Sequence, residues 1–576
     1  MKSELIPKAT VAKVLKTNER NPLVDLVQQV TRLKAINHLY AKVSDKKGEE
    51  FVDGLFQQLK ITTQFKQDQL DQIPKEGPLV VVCNHPFGAL DGLMALKILL
   101  QVRSDIKVMA NFILSEVKPI SDYFLSVNPF ENQGNKNSRG GVRASLEHVQ
   151  NGGCLIVFPA GEVSTLPKGK LRHPVDKRWS DSVIKLIQKT TASVLPIYFY
   201  GDNSYLFHLL GKIHPQLRTA ALPSELLRKK NKELVVEIGR PILHKDWSVI
   251  EDVAQLNRFF RSKVYALSYQ FDVRRRFFAP RLWFKANAKT ESVGHPAFRQ
   301  DVLSEIEQIE DAMLLDQSGF TCYAVKAHRI PNLLHEVGRL REMTFRDVGE
   351  GTGKSLDLDE YDFYYYHLIL WHKENQELVG AYRIGLGSEI IELYGKKGFY
   401  TNSLFKMKNE FKPYLRKSIE LGRSFVVTKY QRQRWPLFLL WQGITIFMDH
   451  FKDVKYIIGP VSMSDQYQRL SKELMIQFLL QEYGDKDLAK CVRPRNKVLM
   501  KDIIDRDALL LTVKKEIKQL DKLIGQIEPM GLSMPVLYKK YLAQNAKIIA
   551  FNRDPLFNNA IDGFMILDIE KMPREK

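Results

Sequence analysis

The first half of the chain alternates between short apolar runs and amphipathic stretches, and this pattern predicts an α/β fold. Between residues 78 and 242, several apolar runs have the length and composition of buried strands. They are residues 79–83, 107–110, 154–158, 194–200 and 234–238. Amphipathic stretches at 142–149 and 183–189 lie between them, as helices do in βαβ units. We therefore expect a largely parallel sheet with its ligand site at the carboxyl ends of the strands.

The hydrophobic pattern predicts helices before this region of the chain and a different order of elements after it. Residues 1–45 carry an apolar stripe at helical spacing and are expected to form a helical arm. After residue 290 the predicted order is helix, antiparallel hairpin, strand, helix, strand. The elements are a helix at 338–345, strands at 367–371 and 378–384, a strand at 423–428, a helix at 436–451 and a strand at 456–458 that ends at Gly459-Pro460. Residues 509–524 are expected to form one solvated helix.

Composition narrows the class of protein. A chain of 576 residues exceeds one hydrophobic core and allows two to four domains at about 150 residues each. The four cysteines lie far apart without metal-ligand spacing, so we expect reduced core thiols and no metal site. No run of 18 apolar residues occurs, and we expect a cytoplasmic protein that does not span a membrane.

The net charge of +20 has two explanations: the protein binds an anionic partner, or its basic surface only keeps it in solution. Anionic lipid and nucleic acid are the usual partners. The stretch 271–289 mixes cations with large aromatic residues, which suits the headgroup boundary of an anionic bilayer and equally an interdomain linker packed inside the protein. Neither zinc-finger spacing nor a glycine-aromatic RNA motif accompanies it, so we expect no nucleic-acid partner.

Candidate chemistry lies where the predicted strands of the first half end. The run 79–83 leads into Asn84-His85, and Asp91 follows just before a helical pattern. Imidazole moves protons near neutral pH, and a nearby carboxylate orients it. The alternative is a histidine that only caps a βα turn. Two further loops carry Arg139 and Arg143, and the block Phe158-Pro159-Ala160-Gly161-Glu162.

These blocks, in this order, resemble the lysophosphatidic acid (glycerolipid) acyltransferase family. That family has Asn-His-x4-Asp, an arginine-bearing loop, Phe-Pro-Glu-Gly and a later Val-Pro-Ile strand, which here is Leu195-Pro196-Ile197. The resemblance implies that His85 is the general base, that Asp91 orients it, and that the other residues bind substrate. The substrate-binding set is Asn84, Arg139, Arg143, Phe158, Pro159, Gly161 and Glu162. The chain departs from the family pattern in two ways. One extra residue separates His85 from Asp91, and the acid of the Phe-Pro-Glu-Gly block stands two positions later, so that Ala160 occupies its usual position and Glu162 carries the carboxylate.

The second half resembles the GNAT-type acyl-homoserine-lactone synthases and the related ornithine N-acyltransferases. The matching pieces are Arg341-x3-Phe345, Asp359-x2-Asp362, Arg383, Glu420-Leu421-Gly422-Arg423, and a tail segment from Ile549 to Asp562. The resemblance implies that Glu420 helps to deprotonate an amine. It further implies that Arg341, Phe345, Asp359, Asp362 and Arg423 shape the acceptor site, with Arg383 near the donor. Paired Asp and Arg residues that only stabilise the fold are the alternative.

Together the two resemblances imply a bifunctional aminolipid synthase of the α/β class. The expected domains are a helical arm (1–45), an O-acyltransferase domain (46–270), a linker (271–300) and an N-acyltransferase domain (301–576). The expected reactions are N-acylation of ornithine or glycine with a 3-hydroxyacyl group, followed by O-acylation of the 3-hydroxyl. We expect that no cofactor is needed and that acyl carrier protein or acyl-CoA delivers the acyl group as a co-substrate. We also expect the protein to associate peripherally with the inner face of the cytoplasmic membrane.

Acyl carrier protein is the favoured donor, because no Gln/Arg-x-x-Gly-x-Gly/Ala loop for a coenzyme A pyrophosphate occurs. Its acidic surface would complement the basic chain. Two alternatives remain open at this point: a lysophosphatidic acid acyltransferase with an accessory domain, and a membrane-binding protein whose catalytic sites have decayed.

Overall fold

A computed structural model describes the chain except for several short segments. The described residues are 5, 7–9, 12, 17–110, 117–126, 136–166, 174–213, 215–269, 291–500, 504–528, 532–555, 557 and 559–573. The basic and aromatic stretch 271–289, and the side chains of the apolar stripe at Leu23, Leu26, Val27 and Val30, lie outside the description. Contacts divide the chain into an N-terminal unit (residues 1–273 and 502–514) and a C-terminal unit (residues 274–501 and 515–576).

The N-terminal unit contains a seven-stranded sheet of order β1-β7-β6-β2-β5-β3-β4. Its strands are β1 (Thr62–Gln64), β2 (Leu79–Cys83), β3 (Ile106–Ala110), β4 (Phe124–Ser126), β5 (Cys154–Val157), β6 (Ser193–Phe199) and β7 (Glu233–Ile238). Strands β2 to β6 are mutually parallel, whereas β7 runs antiparallel to β6 and parallel to β1. The predicted largely parallel sheet is present, together with two short strands, β1 and β4, that were not predicted.

Helices cover both faces of this sheet. They are α1 (Pro22–Val30), α2 (Leu33–Ala41), α3 (Gly48–Leu59), α4 (Ala89–Leu99), α5 (Lys136–Gln150), α6 (Asp181–Gln188), α7 (Tyr205–Ile213), α8 (Pro215–Arg228), α9 (His244–Trp247) and α10 (Val253–Ala266). Every residue of β2 is buried, and alternate residues enter two different cores. Val81 packs with Phe51 and Leu93 on one face, while Val80 packs with Trp179 and Phe260 on the other. Strand β2 is thus the buried centre of a three-layer fold.

The C-terminal unit is built on an eight-stranded sheet of order β16-β17-β14-β13-β11-β10-β9-β8, with a separate pair β12-β15. The strands are β8 (Met313–Gln317), β9 (Phe320–Lys326), β10 (Tyr366–His372), β11 (Glu377–Leu386), β12 (Phe405–Met407), β13 (Ser418–Val426), β14 (Tyr456–Met463), β15 (Val492–Pro494), β16 (Lys547–Asp554) and β17 (Ala560–Asp568). The helices that follow α10 in the chain are α11 (Arg299–Gln308), α12 (Pro331–Asp347), α13 (Gly387–Leu393), α14 (Thr401–Leu404), α15 (Lys412–Arg416), α16 (Trp435–Asp449), α17 (Arg469–Tyr483), α18 (Arg506–Leu510), α19 (Ile517–Ile527) and α20 (Val536–Ala543).

Strands β13 and β14 are the one parallel pair of this sheet and part from each other partway along. Their register covers Ser418 to Glu420 against Tyr456 to Ile458, although β13 continues to Val426 and β14 to Met463. The prediction that the last strand ends at Gly459-Pro460 is therefore wrong. Strand β17 pairs along the whole outer edge of β14, and a proline is tolerated there because β13 has already moved away.

The predicted solvated helix at 509–524 is also wrong. The segment forms two helices, α18 and α19, separated by Lys514 and Lys515 in the left-handed region at φ 44° and 63°. Each helix buries an apolar face, with Leu509 in α18 and Leu523 in α19. Residues 502–514 belong to the N-terminal unit. Within that unit, Asp505 forms an ion pair at 2.5 Å with Arg258, which lies on α10.

Candidate active sites

Strand β2 and the start of α4 bring His85 and Asp91 together. Nδ1 of His85 lies 2.9 Å from Oδ2 of Asp91. Asp91 is completely buried in the first turn of α4, and its Oδ2 also accepts hydrogen bonds from the backbone N–H groups of Phe87 (2.9 Å) and Gly88 (3.0 Å). Gly88 has φ 95°, a conformation that favours glycine, and this turn accommodates the extra residue of the motif.

The arrangement leaves one imidazole nitrogen available for chemistry. Burial raises the pKa of Asp91, although the contact with His85 opposes this effect. The side chain of His85 is 18% exposed, so solvent or a substrate can reach it. With Nδ1 beside the buried carboxylate, Nε2 is free to accept a proton from a substrate hydroxyl.

A second buried carboxylate, Asp176, holds the backbone of His85 and was not found by sequence reasoning. Its Oδ1 accepts hydrogen bonds from the His85 N–H (3.1 Å) and the Ser164 hydroxyl (2.6 Å). Its Oδ2 accepts a bond from the Trp179 indole at 3.0 Å. Ser164 in turn donates its N–H to the carbonyl of His85 at 2.8 Å. Asp176 stands 91 positions from His85 in an unpatterned loop, so no sequence signal pointed to it.

Asn84 and the Phe158 block frame the histidine. The Asn84 amide donates to the carbonyl of Phe199 (3.0 Å) and accepts from its N–H (2.7 Å), which ties β2 to β6 and occupies the polar atoms assigned to substrate. The ring of Phe158, at the end of β5, lies 4.5 Å from the His85 imidazole. Pro159 accepts a hydrogen bond from the Ser180 N–H, and Gly161 turns the loop at φ 66°.

Two of the predicted charged groups of this domain, Glu162 and Arg143, are paired with other charged side chains. Glu162 contacts Lys177 at 2.6 Å and Arg218 at 2.5 Å. Burial raises the pKa of Glu162, but the hydrogen bonds from these two cations hold it below its ordinary value. Arg143 is 82% exposed and pairs with Glu147 one turn further along α5. The side chain of Arg139 lies outside the described residues.

In the C-terminal unit, a buried network of arginine and aspartate joins five predicted residues. Arg341 on α12 contacts Asp357 at 3.0 Å and Asp362 at 2.9 Å. Arg383 on β11 contacts Asp359 at 2.5 Å and Asp362 at 3.2 Å. Burial raises the pKa of Asp362, but Arg383 and Arg341 lower it far more, and this carboxylate stays ionised. The network fixes α12 and the 357–362 loop against the sheet.

Arg423 is the most loosely held arginine of this network. Its nearest carboxylate contacts are 3.3 Å to Asp359 and 3.5 Å to Asp357, and its distance to the Tyr400 hydroxyl is 3.5 Å. The register between β11 and β13 shifts at this point, and Arg423 adopts φ 50°. Such a bulge redirects side chains, so Arg423 reaches the same tyrosine whose N–H binds Glu420.

Glu420 is almost fully buried and accepts hydrogen bonds on both oxygens. Oε2 accepts from the Tyr365 hydroxyl and, at 2.9 Å, from the Tyr400 N–H, while Oε1 accepts from the hydroxyl and the N–H (2.7 Å) of Thr401. Burial raises its pKa, and these donors oppose that effect. Phe345 is placed elsewhere: its half-buried ring packs against the core that contains Val337.

Two acidic residues near Arg423 were not singled out from the sequence. Asp562 on β17 is 4% exposed, and its Oδ1 accepts a hydrogen bond from the Ser462 hydroxyl at 2.7 Å. Burial raises the pKa of Asp562 and that of Glu350. Arg423 opposes this effect at both groups, and each pKa is about 7 as a result. Asp562 belongs to the tail segment noted above, which was the only sequence signal for it.

These raised values predict a pH dependence of stability. A group whose pKa is higher in the folded than in the unfolded state stabilises the fold most below its unfolded pKa, near 3.8 for Asp562, and loses this contribution as pH rises to about 7. We therefore expect Asp562→Asn to raise the unfolding temperature more at pH 8 than at pH 5. An equal change at both pH values, measured by thermal unfolding of the full chain, would contradict the assigned environment.

The described residues also bear on the expectations about a metal site and a membrane span. Among the described residues, no group of three or more His, Cys, Asp or Glu side chains is arranged to hold a metal ion. None of the helices in the described part of the chain has the length and apolar composition needed to cross a bilayer.

Comparison with known proteins identifies both domains. Residues 23–274 match the family described as Acyltransferase, and residues 340–442 match the family described as Acetyltransferase (GNAT) domain. The chain is 31% identical over 265 residues to a glycine N(alpha)-acyltransferase of Bacteroides thetaiotaomicron, which is 44% of this chain and 78% of that protein. It is 27% identical over 254 residues to a lyso-glycine lipid O-acyltransferase of the same organism, which is 42% of this chain and 89% of that protein.

A solved structure is also similar in part. The 1-acyl-sn-glycerophosphate (LPA) acyltransferase PlsC of Thermotoga maritima matches with a TM-score of 0.26 and 16% identity, over 44% of this chain and 97% of that one.

The two units and their family matches define an acyltransferase with an acyltransferase domain followed by a GNAT domain. The chain belongs to the family of the glycine N(alpha)-acyltransferase named above, joined in one polypeptide to a domain of the Acyltransferase family. The predicted α/β fold class, the two domain types and the enzyme class are thereby confirmed.

Proposed function

We propose that this chain makes a diacylated glycine lipid by acylating the amine of glycine and then the hydroxyl of the attached acyl group. One observation carries this proposal: a single chain is similar to two separate proteins of one organism whose named activities are consecutive. A glycine N-acylated with a hydroxy fatty acid is itself a lyso-glycine lipid. The product of the first named activity is thus the substrate of the second.

The C-terminal unit would carry out the N-acylation. The amine nitrogen attacks the carbonyl carbon of an acyl thioester, the carbon–sulfur bond breaks, and the thiol leaves with one proton from the nitrogen. An open apolar cleft lies where β13 and β14 part, lined among others by Leu421, Gly459, Val461 and Met565. Its lining suits an acyl chain whose thioester lies at the parting strands.

The N-terminal unit would carry out the O-acylation. Nε2 of His85 takes the proton of the 3-hydroxyl, the oxygen attacks a second acyl thioester, and the departing thiolate recovers the proton from the imidazolium. Asp91 keeps Nδ1 protonated and stabilises the imidazolium while it exists. The reaction consumes one thioester and releases one thiol, so the histidine ends each cycle in its starting form.

The donor in both steps is proposed to be acyl carrier protein, and no cofactor is required for either transfer. Support comes from the excess of 86 basic over 66 acidic residues, which complements an acidic carrier. Joining the two domains has a kinetic advantage, because the single-chain intermediate is an amphiphile and tethering raises its effective concentration at the second site.

The proposal is tested with the purified full chain, 3-hydroxyacyl carrier protein, a second acyl carrier protein, and isotope-labelled glycine. We expect labelled N-acylglycine first and the diacyl lipid later, with ornithine a poor competitor. Turnover of lysophosphatidic acid without any nitrogen-linked product would replace the proposal with the phospholipid enzyme. If the chain acylates neither glycine nor lysophosphatidic acid, the result would favour a membrane-binding protein whose catalytic sites have decayed.

The basic surface predicts salt-sensitive binding to a membrane. Surface charges are screened beyond about 8 Å at physiological ionic strength, so an electrostatic interaction weakens as salt increases. We expect the chain to sediment with vesicles that contain anionic lipid at low salt and to be released at high salt, with neutral vesicles as the control. Binding that is unaffected by salt would instead indicate insertion of apolar side chains.

A further inference from the structure

The C-terminal unit contains a buried carboxylate that the fold leaves half satisfied. Oδ1 of Asp562 accepts the Ser462 hydroxyl at 2.7 Å, whereas Oδ2, among the residues that the structure describes, has no hydrogen-bond partner. An unpaired buried carboxylate oxygen is costly unless a ligand satisfies it. Strand pairing places Asp562 opposite Ser462 on β14, four residues beyond the last pair of β14 with β13. The free oxygen therefore belongs to the region where the two strands have parted.

The charges around Asp562 favour a bound cation. Asp554 on β16, Glu350 after α12 and Arg423 on β13 all act on its ionisation, and Tyr400 and Tyr538 sense its charge. Among the charged groups that act on Asp562, carboxylates outnumber guanidinium groups. A ligand with an ammonium group would relieve this excess of buried negative charge.

Arg423 provides the complementary half of a zwitterion site. Its contacts to Asp357, Asp359 and Tyr400 are all 3.3 Å or longer, near the limit for hydrogen bonds, and its Nε has no hydrogen-bond partner among the described residues. Arg341, by contrast, is bound to two carboxylates at about 3 Å. Arg383 also has two nitrogens without a hydrogen-bond partner among the described residues, but Asp359 holds it at 2.5 Å, and it is Arg423 that acts on the ionisation of Asp562. Arg423 is thus the loosely held guanidinium near Asp562 that has capacity left for an incoming carboxylate.

Glu420 lacks such capacity. A carboxylate offers about four lone-pair positions, and Glu420 uses four of them for Tyr365, Tyr400 and the two donors of Thr401. It can order the 400–401 segment against β13, but it has no free oxygen to receive a proton from an amine.

We infer that Asp562 holds the ammonium group of the amino-acid acceptor and takes its proton, while Arg423 binds the acceptor's carboxylate. This inference rests on the proposed N-acylation and identifies the acceptor site within it. The ionised Asp562 first pairs with the ammonium and then removes one proton, leaving a neutral amine. The amine attacks the thioester carbonyl, the second nitrogen proton leaves with the thiol, and Asp562 returns its proton to solvent. One thioester and one ammonium thus give one amide, one thiol and one free proton.

The test compares Asp562→Asn with the wild-type chain in N-acylation of glycine from acyl carrier protein across a pH series. Asparagine keeps the size of the side chain and an oxygen for Ser462 but cannot take the proton. We expect kcat/KM for glycine to fall about 100-fold or more at pH 7. The loss should shrink about tenfold per pH unit on raising the pH, because the free amine then arrives already deprotonated. The wild type should instead level off above the pKa of its base.

Two comparison variants make the result decisive. Asp568→Asn alters a carboxylate on the same strand that pairs with Lys571 at 3.1 Å, and should leave the rate and its pH profile unchanged. Glu420→Gln should lower the rate without steepening the pH profile, as a positioning residue would. Hydrogen exchange of residues 536–568 checks that each variant is folded.

The inference is overturned if Asp562→Asn retains both the wild-type kcat/KM and the wild-type pH profile, or if it loses activity equally at every pH. Failure of the proposed function is a separate outcome. In that case the wild-type chain itself forms no N-acylglycine from glycine and acyl carrier protein.

Discussion

Replacing His85 with alanine should abolish the diacyl product and cause the N-acylated intermediate to accumulate. The imidazole of His85 lies at the carboxyl end of β2, 2.9 Å from the buried carboxylate of Asp91. A positioned general base contributes about 10² to 10⁴-fold to such a reaction, so the O-acylation rate should fall by that factor. The N-acylation rate should be unchanged, because the variant affects only the N-terminal unit. The measurement is the rate of each step with purified protein and separated lipid products.

The control for this prediction is His38→Ala, an exposed histidine on α2 in the same unit. It should leave both rates at wild-type values. Asp91→Asn should lower the O-acylation rate less than His85→Ala, since the imidazole remains but loses its charged partner. Diacyl lipid formed by His85→Ala at the wild-type rate would mean that the second acylation occurs without this histidine.

Replacing Arg341 with methionine should destabilise the C-terminal unit by about 3 to 5 kcal/mol, because it leaves buried carboxylates without a counter-charge. Arg341 is 1% exposed, and both of its partners, Asp357 and Asp362, are equally buried. The variant should also lose N-acylation, since the 357–362 loop carries Asp359, a partner of Arg383 and Arg423. Denaturant unfolding followed by hydrogen exchange over residues 331–426 measures the effect.

A matched variant separates burial from charge in this prediction. Arg329→Met removes an arginine of the same unit that pairs with Asp311 at 2.7 Å on the surface. Exposed pairs contribute at most about 1 kcal/mol, so this variant should unfold close to the wild type. Similar losses in both variants would show that the buried network has no special role in stability.

The sequence predicted which groups meet at the carboxyl end of β2, because these groups lie at strand ends. A short apolar run gives β2, and the rule that parallel sheets bind ligands at carboxyl ends places His85, Phe158 and the end of β6 together. Asp176 could not be predicted, because it is brought to His85 by a loop contact over 91 positions. The same limit applies to Glu162, whose partners Lys177 and Arg218 come from distant segments.

In the C-terminal unit the sequence predicted five members of the network but not Asp357, and it did not predict which polar atoms stay without a partner. Arg341, Asp359, Asp362, Arg383 and Arg423 are brought together. The saturation of Glu420 and the free oxygen of Asp562 depend on hydrogen-bond geometry, which spacing does not contain. Phe345 illustrates the converse, because its motif position fits while its ring packs in the core.

The predicted boundaries of elements were wrong where the conformation of a strand or helix depends on packing against a neighbouring element. Pro460 ends a strand by propensity, yet β17 holds β14 in extended form through Met463. Lys514 and Lys515 have good helix propensity, but both adopt positive φ between α18 and α19. These conformations follow from the burial of Leu509 and Leu523 in different units of the chain rather than from local preference.

Two successive acylations of one amino acid by one chain are tested most directly by mass spectrometry of lipids. The host lacks aminolipids, is supplied with isotope-labelled glycine and expresses the full chain. We expect a labelled lipid with one amide-linked and one ester-linked acyl chain in cells with the wild-type protein, and the labelled monoacyl compound alone in cells with His85→Ala. A host in which neither labelled compound forms, or in which His85→Ala still yields the diacyl lipid, would contradict this expectation.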